Sequence, residues 1–370
     1  YDFLYICGYY KTYVLKVLTH YIFNLLTMNI KIGWKMFICF GVLAIQTMLY
    51  SCDKTPFKVH SVLKKAEELM TQHPDSAFRM LQEIEEPNKM TKADYSLWCL
   101  LYTQAANKCR IPAETDSLIV QAKDYFAATN QEYRQAQCYF YAGQVYTDLK
   151  QMNAAASNYI RAIDILDDVS DFKLLALAYN NLGYVYKSVQ EYEKALAMYQ
   201  LSLLNFESAA DSVNITFALR DVANSWSKIG NRDSAEFYYQ KALRSLCTKA
   251  DSIQKYSIYN SLSAYYKLEE KFDSSLYYIH KALAYGQNTN YRYTSYLIMG
   301  RIYQELEKQD SASFFFQQAQ ESPVLRTKAG AIEEQIRYCQ SVNDIIEENR
   351  LLTVLLETKQ QIGELYQVSK

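Results

Sequence analysis

The sequence predicts an all-α fold, an α-solenoid of antiparallel helix hairpins, and three observations carry that expectation. Past residue 130 a pattern of small and aromatic residues recurs five times. Within each recurrence the marked positions fall three or four apart, which places them on one face of a helix. Gly and Pro number only ten and five in 370 residues, too few for many strands and long loops.

The recurring segments are YFYAGQVY (139–146), YNNLGYVY (179–186), LRDVANSW (219–226), YNSLSAYY (259–266) and YLIMGRIY (296–303). Their small residues Gly143, Gly183, Ala223, Ser263 and Gly300 stand 40, 40, 40 and 37 apart, and each is followed after three by Tyr146, Tyr186, Trp226, Tyr266 or Tyr303. Twelve residues beyond each comes Ala155, Ala195, Ala235, Ser275 or Ala312, then after four Tyr159, Tyr199, Tyr239, Ile279 or Phe316. Three further on lie Ala162, Ser202, Ala242, Ala282 and Ala319. Two helices per unit follow, the small residues marking where they approach closely and the large rings filling the space beside them. No single unit can bury its own apolar face, so the units form one continuous array.

This pattern resembles the tetratricopeptide repeat, W-x2-L-G-x2-Y followed by A-x3-F, A and P. The first Trp is missing from all five units, the final Pro is mostly absent, and the period exceeds the usual 34. The resemblance implies a right-handed superhelix whose concave groove holds a protein or peptide segment, with no enzymatic activity and no cofactor.

Taken in order, residues 1–27 are aromatic and basic and begin with Tyr, and are expected not to belong to the mature protein, Met28 being the initiator. Residues 28–51 carry Lys31 and Lys35, then an apolar run shorter than the roughly 20 residues of a membrane span, then Ser51. The ending Leu49-Tyr50-Ser51-Cys52 resembles a bacterial lipobox, with Tyr50 larger than the residue usual there. It implies cleavage before Cys52, lipidation of its thiol, and a chain anchored to a membrane in the cell envelope, facing periplasm or exterior. The alternative is an uncleaved N-terminal anchor helix.

The array is expected over 52–322, with degenerate hairpins within 57–128 and the clear repeats over 136–322. Asp-Ser pairs at 75–76, 116–117, 233–234, 273–274 and 310–311 are expected to cap second helices, and those at 211–212 and 251–252 first helices. Residues 323–370 read as a capping helix followed by a helical stem, either a coiled coil or a plain polar helix. The whole layout resembles tetratricopeptide lipoproteins and sensor-like proteins of Bacteroidetes.

Composition narrows the function further. With 39 basic and 40 acidic side chains, no field concentrates nucleic acid. The 35 Tyr suit either a binding surface or helix packing, and the repeat favours packing. The cysteines form no C-x-x-C and read as packed thiols. His60, His73 and His280 lie far apart, and no H-E-x-x-H, G-x-S-x-G, Walker loop or G-x-G-x-x-G occurs. No catalytic residue or metal site is assigned.

In the family, four positions of each first helix line the groove. Carried onto this chain they include Asn180, Tyr184, Lys187, Phe217, Arg220, Asn224, Asn260, Lys267 and Arg301, with no acidic residue. Asn amides suit a peptide main chain, cations a carboxylate, and aromatics an apolar side chain. Three functions are carried forward. The first is a lipid-anchored scaffold binding a peptide or partner; the second is the extracytoplasmic sensory half of a membrane regulator. The third is a glycan-binding lipoprotein, disfavoured because Trp226 sits at a core position and the turns are short.

Overall fold

The computed structural model describes residues 56–246, 252–287 and 289–367, and among them it has sixteen α-helices, one 3-10 helix (Pro87–Lys89) and no strand. In order these are α1 (Pro56–Leu69), α2 (Pro74–Gln82), α3 (Lys92–Lys108), α4 (Ser117–Ala127), α5 (Glu132–Asp148), α6 (Met152–Val169), α7 (Phe172–Ser188) and α8 (Tyr192–Ser208). Next come α9 (Ser212–Ile229), α10 (Arg232–Ser245), α11 (Ser252–Leu268), α12 (Phe272–Gly286), α13 (Tyr291–Glu305), α14 (Gln309–Gln320), α15 (Leu325–Val342) and α16 (Ile345–Gln367). The chain divides into residues 1–64 and 65–370; the described part of the first is the opening stretch of α1, and the stacked hairpins belong to the second. Cys52, with the segments 1–27 and 28–51, lies outside the described residues.

Each hairpin is organised by the close approach that the small residue permits. A Cβ built on Gly143 would stand 2.5 Å from the Tyr159 ring, one on Gly183 2.8 Å from Tyr199, and one on Gly300 2.5 Å from Phe316. These rings, with Tyr239, are among the largest fully buried side chains, and Ala155, Ala195, Ala235, Ala312 and the row Ala162 to Ala319 are buried beside them. In the α11–α12 hairpin the seat is Ser263 and the ring is replaced by Ile279; Ser275 Oγ then donates to the Ser263 carbonyl at 2.8 Å. A smaller filler leaves room for a polar contact, and that contact satisfies the hydroxyl that would otherwise be buried alone.

The turns repeat as faithfully as the cores. Seven residues after each small residue the backbone turns left-handed, at Lys150, Gln190, Gly230, Glu270 and Glu307, with φ between 57° and 90°. The next N–H closes the helix on the carbonyl of the pattern's aromatic: Gln151 to Tyr146 at 2.8 Å, Glu191 to Tyr186 at 2.9 Å, Asn231 to Trp226 at 3.0 Å, Lys271 to Tyr266 at 2.9 Å and Lys308 to Tyr303 at 2.9 Å. This is a Schellman closure, and glycine is the residue it favours. Only one of the five turns has it.

Capping departs from expectation. No side-chain cap bond forms at the N-cap of α2, α4, α12 or α14, and in α10 the cap is Asn231, which accepts from Ser234 N at 3.0 Å. The Asp of each pair instead lies in the first turn of α2, α10, α12 and α14, where the helix dipole favours a carboxylate without a direct bond. First helices do use Asp: Asp171 accepts from Leu174 N at 2.9 Å and Asp211 from Asn214 N at 3.1 Å. Asp251 lies outside the described residues.

The caps also tie hairpin to hairpin. Tyr133 Oη donates to Asp171 at 3.0 Å, and Lys173, forty residues after Tyr133, reaches Asp211 at 2.6 Å. Tyr146 Oη donates to Asp116 at 2.9 Å and Tyr266 Oη to Glu236 at 2.8 Å, thirty residues back in both cases. At the matching position in α9 stands Trp226, and thirty residues before it is Leu196. Trp226 Nε1 is accordingly buried without an acceptor. At the far end α16 returns along α15, packing Leu351, Val354 and Leu355 on Ile332, Ile336 and Cys339. Among the described residues no helix is long and apolar enough to cross a membrane.

Candidate functional site

The groove positions fall on α7, α9, α11 and α13, the first helices of four successive hairpins. Helical spacing of three, four and three residues aligns each set along one face. The Lys173–Asp211 tie links α7 to α9.

In α7, Asn180 is half-buried, Tyr184 is 42% exposed, and the Lys187 ammonium lies 5.3 Å from the Tyr184 ring centroid. Among the described residues Lys187 has no carboxylate partner. The other candidate cations all have one. Arg220 grips Asp221 through Nε at 3.0 Å and Nη2 at 2.7 Å, reaches Ser257 Oγ through Nη1, and lies over the Phe217 ring at 5.1 Å. Lys267 stands 3.9 Å from Glu305. Arg301 Nε donates to Glu334 at 2.8 Å, and Arg337 holds the other oxygen of that buried carboxylate at 2.7 Å.

The candidate positions contain no acid, yet the structure brings three to them: Asp221, Glu305 and Glu334. Asp221 was legible in principle, since it follows Arg220 directly. Adjacent helix residues ordinarily face apart, but the long guanidinium stem folds back to its neighbour. Glu334 gave no local signal, lying 33 residues beyond its partner.

Hydrogen bonds also orient the amides. Tyr239 Oη donates to Asn224 Oδ1 at 2.6 Å, which turns the Asn224 amide nitrogen away from that hydroxyl as a donor. Asn260 Oδ1 lies 3.3 Å from the Tyr256 hydroxyl, which also reaches the Tyr291 carbonyl at 3.2 Å. Asn180 is reversed: its nitrogen faces Asp221 Oδ2 at 3.5 Å, leaving the oxygen as an acceptor. Burial pushes Tyr199 and Tyr239 far above the usual phenol range, so the hydroxyl behind Asn224 stays protonated and remains a donor.

Burial pushes the Cys99 thiol up to about 11 and Cys138 up to about 12, the reverse of an activated nucleophile. Among the described residues no cluster of three His, Cys, Asp or Glu is placed to hold a metal ion. A hollow of about 550 Å³ at the α9–α10 turn is lined by Ile229, Gly230, Asn231, Arg232 and Asp233 and includes none of the groove residues.

Comparison with known proteins places this architecture. Family patterns described as tetratricopeptide repeat match residues 174–247 and 293–322. Comparison with curated protein sequences returned no match. Among solved structures, the apo form of RapI aligns with a TM-score of 0.62 at 14% identity, over 87% of this chain and 92% of its own. The apo quorum sensor NprR from B. thuringiensis gives 0.59 at 15%, over 83% and 94%. NprR in complex with its cognate peptide NprX gives 0.58 at 14%, over 80% and 88%. At such identities the likeness is one of fold. With the small-and-aromatic repeat, the stacked hairpins and two family matches in agreement, the chain contains tetratricopeptide repeats.

Proposed function

We propose that the chain is a non-enzymatic interaction scaffold that holds an extended peptide segment of a partner along α7, α9 and α11. The observation that carries this reading is the set of oriented amides. Asn180 offers an acceptor where Asn224 offers a donor, the two functions of a peptide main chain, and exposed Tyr184 with Lys187 supplies an apolar contact and a cation beside them. That a chain of like fold is described in complex with a peptide supports the same use of the groove. Because Arg220 and Arg301 are neutralised internally, an acidic group of the ligand is assigned to Lys187.

Asn224→Asp keeps the acceptor that Tyr239 needs but replaces the outward donor with an oxygen. In a display of random extended peptides, segments selected on the native chain are expected to lose at least tenfold in affinity to this variant. Equal affinity would remove the amide from the recognition.

The tether is proposed separately, from the lipobox-like residues 49–52. Cys52 is read as the acylated first residue of the mature chain, fixing the scaffold in the cell envelope on the periplasmic or exterior side. In a bacterial host fed a clickable fatty acid, Cys52→Ala is expected to abolish labelling, and labelling that persists would overturn the anchor.

A further inference from the structure

The hairpin α11–α12 carries a second cluster that the groove does not use. Tyr259 of α11 stacks on Tyr285 of α12, with centroids 6.0 Å apart and planes 19° from parallel, and on Tyr278 at 6.2 Å and 23°. Tyr278 stacks in turn on Tyr266 at 5.4 Å. Two lysines lie over these rings. Lys281 is 4.4 Å from the Tyr277 centroid and 5.5 Å from that of Tyr259, and Lys255 is 5.2 Å from that of Tyr285.

On α11, Lys255 and Tyr259 point roughly 140° away from the mean direction of Ser257, Asn260, Ala264 and Lys267, at 100° per residue. The cluster therefore faces away from the groove. Tyr277 and Tyr285 are 54% and 38% exposed, so it also faces solvent.

Of the groove cations, Lys267, Arg220 and Arg301 each meet a carboxylate and Lys187 alone does not, whereas both cations of this cluster, Lys255 and Lys281, lack one among the described residues. The nearest acid along the Tyr277–Lys281–Tyr285 stripe is Asp273, eight residues before Lys281 and so about 12 Å along the helix.

The stacking decides what the surface can bind. A ring's face is its negative side and its edge the positive one. Here the inner rings Tyr259, Tyr278 and Tyr266 are covered by one another, Tyr266 already donating to Glu236, while at the rim Lys281 lies over Tyr277 and Lys255 over Tyr285, so a partner meets ring edges, the rim hydroxyls and two cations, which favour an anion. A sugar, which needs free ring faces, finds few. Flexible carboxylate side chains reach such a site from the edge.

We propose that the outer face formed by Lys255, Tyr277, Lys281 and Tyr285 is a docking surface for an acidic segment of a partner protein, separate from the groove. The probe is a fluorescein-labelled deca-glutamate peptide, titrated by anisotropy into the full chain at low salt. Binding is expected to weaken at least tenfold in the Lys255→Glu/Lys281→Glu variant, to be changed far less by Lys187→Glu in the groove, and to fade at roughly 0.5 M salt. If the charge reversal impairs folding, judged by circular dichroism, Lys255→Gln/Lys281→Gln keeps much of each stem and is expected to weaken binding in the same direction. No binding by the native chain, equal binding by the double variant, or loss through Lys187→Glu instead would each overturn the assignment. So would variant-sensitive binding of alginate fragments or phosphatidylglycerol vesicles in place of the peptide.

Discussion

Adding one methyl group at Gly143 tests the hairpin geometry. The new Cβ would lie 2.5, 2.6 and 2.8 Å from three atoms of the Tyr159 ring, and ordinary contact begins near 3.4 Å, so the ring must retreat by about 0.9 Å. Tyr159 is 1% exposed and lies with its ring centroid 6.1 Å from that of Phe140, tilted by 60°, and its hydroxyl 3.3 Å from Thr147 Oγ1, so little free space receives it. Overpacking of this kind costs about 1–3 kcal/mol. Replacing a helical Gly by Ala returns about 1 kcal/mol. A retreat of nearly 1 Å belongs in the upper half of the overpacking range, about 2–3 kcal/mol, so the net expectation is a loss of roughly 1–2 kcal/mol for Gly143→Ala, and the same for Gly300→Ala, whose Cβ meets Phe316 at 2.5 Å. Gly183→Ala, with 2.8 Å to Tyr199, is expected near neutral, because the next hairpin already pairs Ala223 with a buried Tyr239. Urea unfolding followed by far-ultraviolet circular dichroism reads the order. A Gly143→Ala chain as stable as the native one, or a Gly183→Ala loss exceeding it, would refute the reasoning.

Other perturbations probe the turns, the ties and the charges. Trp226→Phe removes a buried N–H that has no acceptor and is expected to cost less than about 1 kcal/mol by the same unfolding measurement, far below the usual loss for a truncated core aromatic. Glu270→Gly relieves a left-handed residue at φ 58° and is expected to stabilise by up to about 1 kcal/mol, while Gly230→Ala at φ 90° destabilises by a similar amount. Burial alone would raise the Asp211 carboxyl, but hydrogen bonds from Lys173 and Asn214 outweigh it and hold the group below the usual carboxylate range. A depressed folded value gives stability that is present above the unfolded value of about 3.9 and lost as pH falls below it. The gap in urea midpoint between the native chain and Asp211→Asn should therefore be full at pH 7 and shrink below about pH 4; a gap independent of pH would contradict this.

What is legible in the residues depends on distance along the chain. The seat and its ring, Gly143 and Tyr159, lie sixteen apart inside one hairpin, so a fixed offset announces the contact in every unit. The turn can be placed by the same count, although four of five units use a residue other than Gly there. Caps are easily misread because Asp-Ser suits both an N-cap and a first turn, and only backbone geometry separates the two. Contacts between units are hardest: Arg301 and Glu334 lie on helices whose spacing is set by turns of unequal length. As a result the groove reads as cationic in the sequence, while the folded chain neutralises all of its candidate cations but Lys187. The amide directions of Asn180 and Asn224 are likewise invisible there, since they depend on Asp221 and on a tyrosine of the following helix.

The central claim is that the face of α7, α9 and α11 holds a peptide through its main chain. A photoreactive phenylalanine analogue placed at Tyr184, and in a parallel chain at exposed Phe237 of α10, tests it in the native host by mass-spectrometric mapping of the adducts. A peptide adduct is predicted from position 184 that disappears when Asn224→Asp is added and that position 237 does not yield. No adduct from 184, or one that survives Asn224→Asp unchanged, would contradict the account.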